Sequence, residues 1–138
     1  MWRTIASVIA GLAAWAVVAT LINFGIRAAI PGYHAAETTL DFTLTMKVAR
    51  LLMAVLTSLA AGGIVSLIAP GKKWAPWTVA FILLAGFVPE HVRLWNRFPV
   101  WYHLTFLLTL APLIALGAML GSRIRTGGRA SQEVATAN

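Results

Sequence analysis

The chain has 138 residues, of which 59% are hydrophobic, 11% are charged and none is cysteine. Average soluble proteins carry roughly 25% charged residues, and a small domain buries only about two-thirds of its surface. A soluble protein of this length could not hide so much apolar surface, so the composition predicts a membrane protein covered by lipid. The lack of cysteine excludes disulfides, thiol redox chemistry and cysteine-based metal sites.

The net charge of +7 would be compatible with nucleic-acid binding, but the basic residues lie at the ends of apolar runs. At a membrane boundary the expected partners of Lys and Arg are anionic lipid head groups, and we expect no nucleic-acid partner. Aromatic residues flank the same runs, which is typical of the two interfacial belts of a membrane protein. The residues expected in these belts are Trp2, Tyr33, Trp74, Trp77, Trp95, Trp101 and Tyr102.

The first apolar run, residues 4–26, predicts a membrane-spanning helix. It reaches the roughly 20 residues that cross a hydrocarbon core of about 30 Å. It also exceeds the roughly 7–15 apolar residues of a cleaved signal peptide. We therefore expect an uncleaved anchor helix, with cleavage after "VVA", which ends at Ala19, as the open alternative.

Three further runs predict spans at about residues 39–69, 75–94 and 100–121. Each helix satisfies its own backbone hydrogen bonds in lipid. The predicted fold is therefore all-α, an integral membrane four-helix bundle that forms a single domain at residues 1–122. Residues 123–138, "RIRTGGRASQEVATAN", are polar and small, and they predict a disordered cytoplasmic tail.

Helix-end signals accompany the second and third spans. Thr38 or Thr39 is expected to cap the second helix, with Asp41 in its first turn. The sequence "APG" that follows this span predicts its end. Pro76 suits the first turn of the third helix, where its missing N–H costs nothing.

Four spans place both termini on one side of the membrane. The basic residues on that side are Arg3, Lys72, Lys73, Arg123, Arg125 and Arg129. The charged residues on the other side are Arg27, Lys47, Arg50, Arg93 and Arg97, together with Glu37, Asp41 and Glu90. Lys and Arg are nearly balanced, but the short connection "GKK" has no acid nearby, and short loops decide orientation most strongly. Both termini are therefore predicted to be cytoplasmic.

The stretch "PEHVRLWNRFPVWYHL" at the predicted outer side concentrates polar groups between two apolar spans. Glu90 and Arg93 share a helix face at i, i+3. Glu90 predicts either a proton-accepting or cation-binding carboxylate or an ion pair at head-group level. His91 ends the third span and His103 begins the fourth, so a short turn would bring them to similar depth.

Lys47 and Arg50 share one face of the second helix and extend this candidate cluster. They are expected either to reach the outer interface with their charged heads or, for Arg50, to turn inward and pair with Glu90 or Asp41. An inward charge requires a partner in lipid. An anionic head group bound by Arg50 is a further possibility.

A metal site is not expected. The three histidines and two nearby glutamates could hold a metal in principle, but no pair has the i, i+4 spacing of a built helical site. Interfacial histidines that form hydrogen bonds are the expectation, and we expect no metal and no cofactor.

Small residues predict close helix packing. Gly117 and Gly121 form a GxxxG pattern in the fourth span, and Ser58 and Gly62 are spaced i, i+4 in the second. Such spacing lets helix backbones approach closely. It serves either packing inside the bundle or an oligomer contact.

The sequence "FPVWYHLTFLLTLAPLIALGAMLG", preceded by "RLWNR", resembles a group of uncharacterised small bacterial inner-membrane proteins with four predicted transmembrane helices. "IRAAIPGY" after the first span is similar as well. The resemblance implies a bacterial origin and the same number of spans, and it implies no catalytic residue.

Three functions are compatible with these patterns. The first is a non-enzymatic membrane protein that acts by packing or by contact with a partner protein. The second is a small oligomeric transporter or channel that uses Glu90 with Arg50 or His103. The third is an enzyme that acts on a lipid or quinone from the outer side, using His34, His91, His103 and Glu90.

Overall fold

The computed structural model describes residues 1–136, with side chains for residues 1–128. Within that part it has five α-helices and no strand. The helices are α1 (Trp2–Ala29), α2 (Tyr33–Thr39), α3 (Leu44–Ile68), α4 (Trp74–Arg93) and α5 (Val100–Thr136). The four long helices, α1, α3, α4 and α5, are long and apolar enough to cross a membrane. The predicted all-α bundle is confirmed.

The second span begins later than the predicted residue 39, because a non-helical break at residues 40–43 separates α2 from α3. The short α2 ends at Thr39, and the next residue, Leu40, has a left-handed backbone with φ 62°. The cap of α3 is Thr43, whose hydroxyl accepts a hydrogen bond from the Met46 backbone N–H at 3.3 Å. Asp41 therefore lies before the helix and not in its first turn. The break carries Phe42, only 6% exposed, into the protein interior.

The last helix continues beyond the predicted end at residue 121. The backbone is helical to Thr136, through most of the segment predicted to be a disordered tail. No proline follows Pro112, and adding a residue to an existing helix avoids the cost of nucleation. Ala137 and Asn138 lie outside the described residues.

The helix α3 lies at the centre of the bundle, where it packs mainly against α5 and α1, while α4 packs against α5 and contacts α1. Glycine makes the α3–α5 approach possible. A Cβ atom at Gly62 would overlap the carbonyl oxygen of Ile114, and one at Gly117 would overlap the backbone of Leu59. At Gly121 it would overlap the Ser66 hydroxyl. Ser58 in α3 is fully buried as well.

The buried side chains form two clusters along the bundle. One, the aliphatic core, consists of Ala61, Val65, Ala75, Val79, Ala80, Leu110 and Ile114. The other, the aromatic core, consists of Tyr33, Ala36, Phe42, Met46, Phe98 and Tyr102. The aromatic core lies at the end with α2 and the α4–α5 connection, which we call the aromatic end. The opposite end carries the N-terminus and the α3–α4 connection, and we call it the basic end.

Candidate functional site at the aromatic end

The two histidines of the stretch "PEHVRLWNRFPVWYHL" meet inside the protein. His91 in the last turn of α4 and His103 in the first turn of α5 are 9% and 0% exposed. Their Nδ1 atoms are 2.7 Å apart. One imidazole therefore donates its Nδ1–H to the other, and the tautomer decides which. The pair links the ends of two consecutive helices through one shared proton.

Aromatic rings enclose this histidine pair. Trp95 stacks on His103 with ring centroids 4.8 Å apart and an angle of 13° between the planes. Phe106 lies 4.7 Å from His91. The Nε2 atom of His103 is buried and has no hydrogen-bond partner among the described residues. The pair therefore lies in apolar surroundings with one ring nitrogen unsatisfied.

Arg50 turns inward, and two tyrosine hydroxyls are its partners. Its Nε donates to the Tyr102 hydroxyl at 3.3 Å, and its Nη1 donates to the Tyr33 hydroxyl at 3.1 Å. Its guanidinium carbon lies 4.8 Å from the centroid of the Phe42 ring, where a cation is attracted to the π face. The expected pairing of an inward Arg50 with Glu90 or Asp41 is therefore wrong. Both acidic residues are exposed, and the two tyrosine hydroxyls bind the guanidinium group instead. No carboxylate pairs with Arg50 among the described residues.

A chain of hydrogen bonds continues from Arg50 through Tyr33 to α1 and α2. The Tyr33 hydroxyl donates to the Asn23 side-chain oxygen at 3.1 Å, and the Asn23 amide donates to Glu37 at 2.9 Å. Arg27 donates to the other oxygen of Glu37 at 2.7 Å. The chain therefore ties together α1, α2 and α3, and Tyr102 adds α5.

The carboxylate of Glu37 lies in α2, outside the spans. Its burial raises its pKa, but the hydrogen bonds from Asn23 and Arg27 and the charge of Arg27 outweigh that effect. The net result holds the pKa of Glu37 below its ordinary value. His34 also approaches this carboxylate, with its Nδ1 at 3.6 Å. Glu37 is therefore ionised and committed to its neighbours at neutral pH.

The other predicted cluster residues lie apart from this interior network. Glu90 forms an exposed pair with Arg93 at 3.7 Å, in which the two side chains are 56% and 76% exposed. Lys47 is half-buried. The structure thus brings together His91 and His103, places Arg50 beside Tyr102, and leaves Glu90 and Arg93 at the surface.

Several members of the site were not assigned to it from the sequence. Tyr33 and Tyr102 were expected in interfacial belts, but they are 0% and 6% exposed and belong to the aromatic core. The tryptophans of the belts are exposed, from 41% for Trp95 to 78% for Trp2. The polar Asn23 inside the first apolar run was the missed signal, because a polar residue in a span calls for a partner.

The arrangement has limited chemical capacity. It can share one proton between two imidazoles and hold one cation among phenol hydroxyls. Among the described residues, no three His, Asp or Glu side chains gather as a possible metal site. The four residues of the predicted enzyme site do not share one environment. His34 and Glu90 are exposed, whereas His91 and His103 are buried.

Comparisons of the chain with known protein families, with curated proteins and with solved structures find no match.

Proposed function

We propose that this chain is a non-enzymatic protein of the bacterial inner membrane that acts by packing against lipid or a membrane partner, either another protein or a second copy of itself. In this proposal the polar groups of the aromatic end fix the helices in place and do no chemistry. The resemblance to small bacterial membrane proteins supports the bacterial origin.

One observation carries the proposal: most of the interior polar groups of the aromatic end have another group of the same cluster as their hydrogen-bond partner. His91 bonds to His103, and Arg50 bonds to Tyr33 and Tyr102. In a reaction centre the acid–base groups would face a substrate, and a general base needs hydrogen-bond reach to the proton that it abstracts. Here the partner within that reach is the neighbouring side chain.

Complementation in a strain that requires the chain tests this proposal. We expect His91→Leu with His103→Leu to restore growth as well as the wild-type chain, because apolar pairs of similar volume replace buried polar pairs at little cost. Gly117→Leu is expected to fail, since it separates α3 from α5. The amount of protein in the membrane is measured for each variant. A histidine double variant that is present at the normal level but fails to restore growth would contradict the proposal.

Both termini are proposed to lie in the cytoplasm, because the basic end carries the short "GKK" connection and the arginines of α5. The natural absence of cysteine allows a direct test. Asn96→Cys at the aromatic end and Thr126→Cys at the basic end both introduce an exposed thiol. In intact spheroplasts a membrane-impermeant maleimide should label the first and not the second. The reverse pattern would invert the orientation.

A second candidate, a small oligomeric transporter that moves protons, is favoured by one observation. The buried His103 has an Nε2 atom without a partner, beside a proton shared with His91. In this candidate, protein in liposomes with a pH-sensitive dye would carry a proton flux that His103→Phe abolishes and Glu90→Gln retains. A wild-type flux no greater than that of empty liposomes removes the candidate.

A further inference from the structure

A groove of about 450 Å³ opens at the basic end, far from the aromatic core. The α3–α4 connection forms its mouth, and its walls are formed by α4 and α5. This volume lies within the range of roughly 300–1,000 Å³ that is typical of small-molecule sites. Because α3 ends at Ile68 and α4 begins at Trp74, the mouth lies where the spans meet the membrane boundary.

Two lysines without an ion-pair partner among the described residues lie at the mouth of the groove. Lys72 and Lys73 line the groove and are exposed, and neither ammonium group has a hydrogen-bond or ion-pair partner among the described residues. Two neighbouring arginines, Arg3 and Arg125, instead donate hydrogen bonds to backbone carbonyls at the end of α3. Arg3 donates to Ile68 at 3.2 Å, and Arg125 donates to Leu67 at 3.1 Å.

The charge around the mouth has one sign. Among the side chains that the structure describes, every carboxylate belongs to the aromatic end, and these are Glu37, Asp41 and Glu90. Among the described side chains, a ligand that enters the groove from this end therefore meets cations, and an anionic group would be attracted.

The walls behind the lysines are mostly apolar, with Ser66 and Ser122 as their polar members. Ala115 and Met119 of α5 face the groove, and so do Pro76 and Trp77 of α4. Trp77 is 48% exposed, as expected for an indole at the level of the lipid head groups. The groove is therefore amphipathic, with a cationic mouth at the boundary and an apolar body that runs along the spans.

We propose that this groove binds one anionic glycerophospholipid of the bilayer. Its phosphate lies against Lys72 and Lys73, and one acyl chain lies along Ala115 and Met119. A basic pocket between transmembrane helices at the head-group level suits this ligand class. A soluble anion would leave the apolar walls unused, and a neutral lipid would leave the two ammonium groups unpaired.

The proposal deepens the proposed function by naming the lipid. It rests on the proposed function in one respect only: the cytoplasmic location of the basic end places this lipid in the cytoplasmic leaflet. Binding measured in detergent does not depend on sidedness or on growth. A failed lipid measurement would therefore leave the complementation and labelling results intact, and a reversed orientation would leave the lipid affinity intact.

Native mass spectrometry of the full chain in mild detergent, titrated with phosphatidylglycerol or phosphatidylcholine, tests the site. We expect one tightly bound phosphatidylglycerol, with at least about tenfold preference over phosphatidylcholine. Lys72→Ala with Lys73→Ala should weaken this binding by roughly 30-fold, from the attraction that two basic residues supply near anionic lipid. Arg97→Ala with Arg123→Ala removes the same charge outside the groove and should leave the binding unchanged.

A second variant tests the apolar body. Ala115→Phe fills the groove beside the lysines, so it should weaken binding of the lipid while the two ammonium groups remain. The proposal is overturned if the lysine double variant binds phosphatidylglycerol like the wild type, or if both lipids bind equally. Complete competition by inorganic phosphate would assign the site to a soluble anion, and a dimer that excludes lipid would assign it to a second copy. Either result also overturns the proposal.

Discussion

The two ends of the bundle are held together in opposite ways. Towards the basic end, α3 and α5 pack with their backbones in contact, because Gly62 and Gly117 have no side chain to separate them. At the aromatic end the helices stand far enough apart for rings to enter, and Arg50 and the His91–His103 pair bridge them. The α3–α5 contact depends on the absence of side chains at the two glycines. The contact at the aromatic end depends on hydrogen bonds between polar side chains.

The difference predicts which substitutions the molecule tolerates. A backbone contact has no alternative geometry, so adding a single methyl group forces the helices apart. A side-chain network can lose one bond and keep the others, because Arg50 has two hydroxyl partners and an aromatic face. We therefore expect larger losses of stability at the glycines than at the polar residues.

Gly117→Ala should have the largest effect. The added Cβ would overlap the carbonyl oxygen of Leu59, so the free energy of unfolding should fall by about 3 kcal/mol, the upper part of the range for overpacking. Gly86→Ala is the matched control, because a Cβ there meets nothing within 4 Å. Unfolding by SDS in mixed micelles measures both. Equal stability of the two variants would contradict the close-packing argument.

Tyr33→Phe should have the next largest effect. It removes the hydroxyl that accepts from Arg50 and donates to Asn23. Hydrogen bonds between membrane helices contribute about 0.6 kcal/mol on average and at most about 1.7 kcal/mol, so a loss of about 1–2 kcal/mol is expected.

A double-mutant cycle with Arg50→Met then tests whether Tyr33 acts through Arg50. If it does, Tyr33→Phe should cost clearly less in the Arg50→Met background, where one of the two bonds is already absent. Strictly additive losses from the same unfolding measurement would mean that the two residues are independent.

Much of the fold could be predicted from the sequence, because lipid imposes few solutions on a long apolar run. The ends of the spans at residues 94 and 100 differ from the structure by at most one residue. The start of the second span was wrong by several residues, since the left-handed conformation of Leu40 leaves no composition signal. The helix beyond residue 121 was missed because polarity alone does not distinguish an exposed helix from a disordered tail.

Less of the candidate site could be predicted. The i, i+3 spacing pairs Glu90 with Arg93 within one helix, and the short α4–α5 connection brings His91 near His103. The partners of Arg50 could not be deduced, because Tyr33, Arg50 and Tyr102 lie on different helices and meet only through tertiary packing. At a span end a tyrosine also fits an interfacial belt, so the sequence did not indicate the interior contacts that both tyrosines make.

Stability at acidic pH should reveal the contribution of the Glu37 carboxylate. The pKa of Glu37 is lowered from 4.5 in the folded state, so its stabilisation is fully present above about pH 4.5. It is lost as the pH falls through the lowered folded-state value. Glu37→Gln should therefore reduce stability at pH 7 and flatten the loss between pH 5 and acid, measured by thermal unfolding. A Glu37→Gln variant that loses stability in acid as steeply as the wild type would contradict this assignment.

At neutral pH, Glu90→Gln should have the smallest effect of all. Glu90 and Arg93 form the same kind of pair as Glu37 and Arg27, but the N···O distance is 3.7 Å instead of 2.7 Å, and both Glu90 and Arg93 are mostly exposed. Exposed pairs contribute roughly 0–1 kcal/mol and are screened by salt. We expect a change below about 0.5 kcal/mol in SDS unfolding that disappears at high salt. A loss comparable to that of Tyr33→Phe would mean that Glu90 has an interior partner.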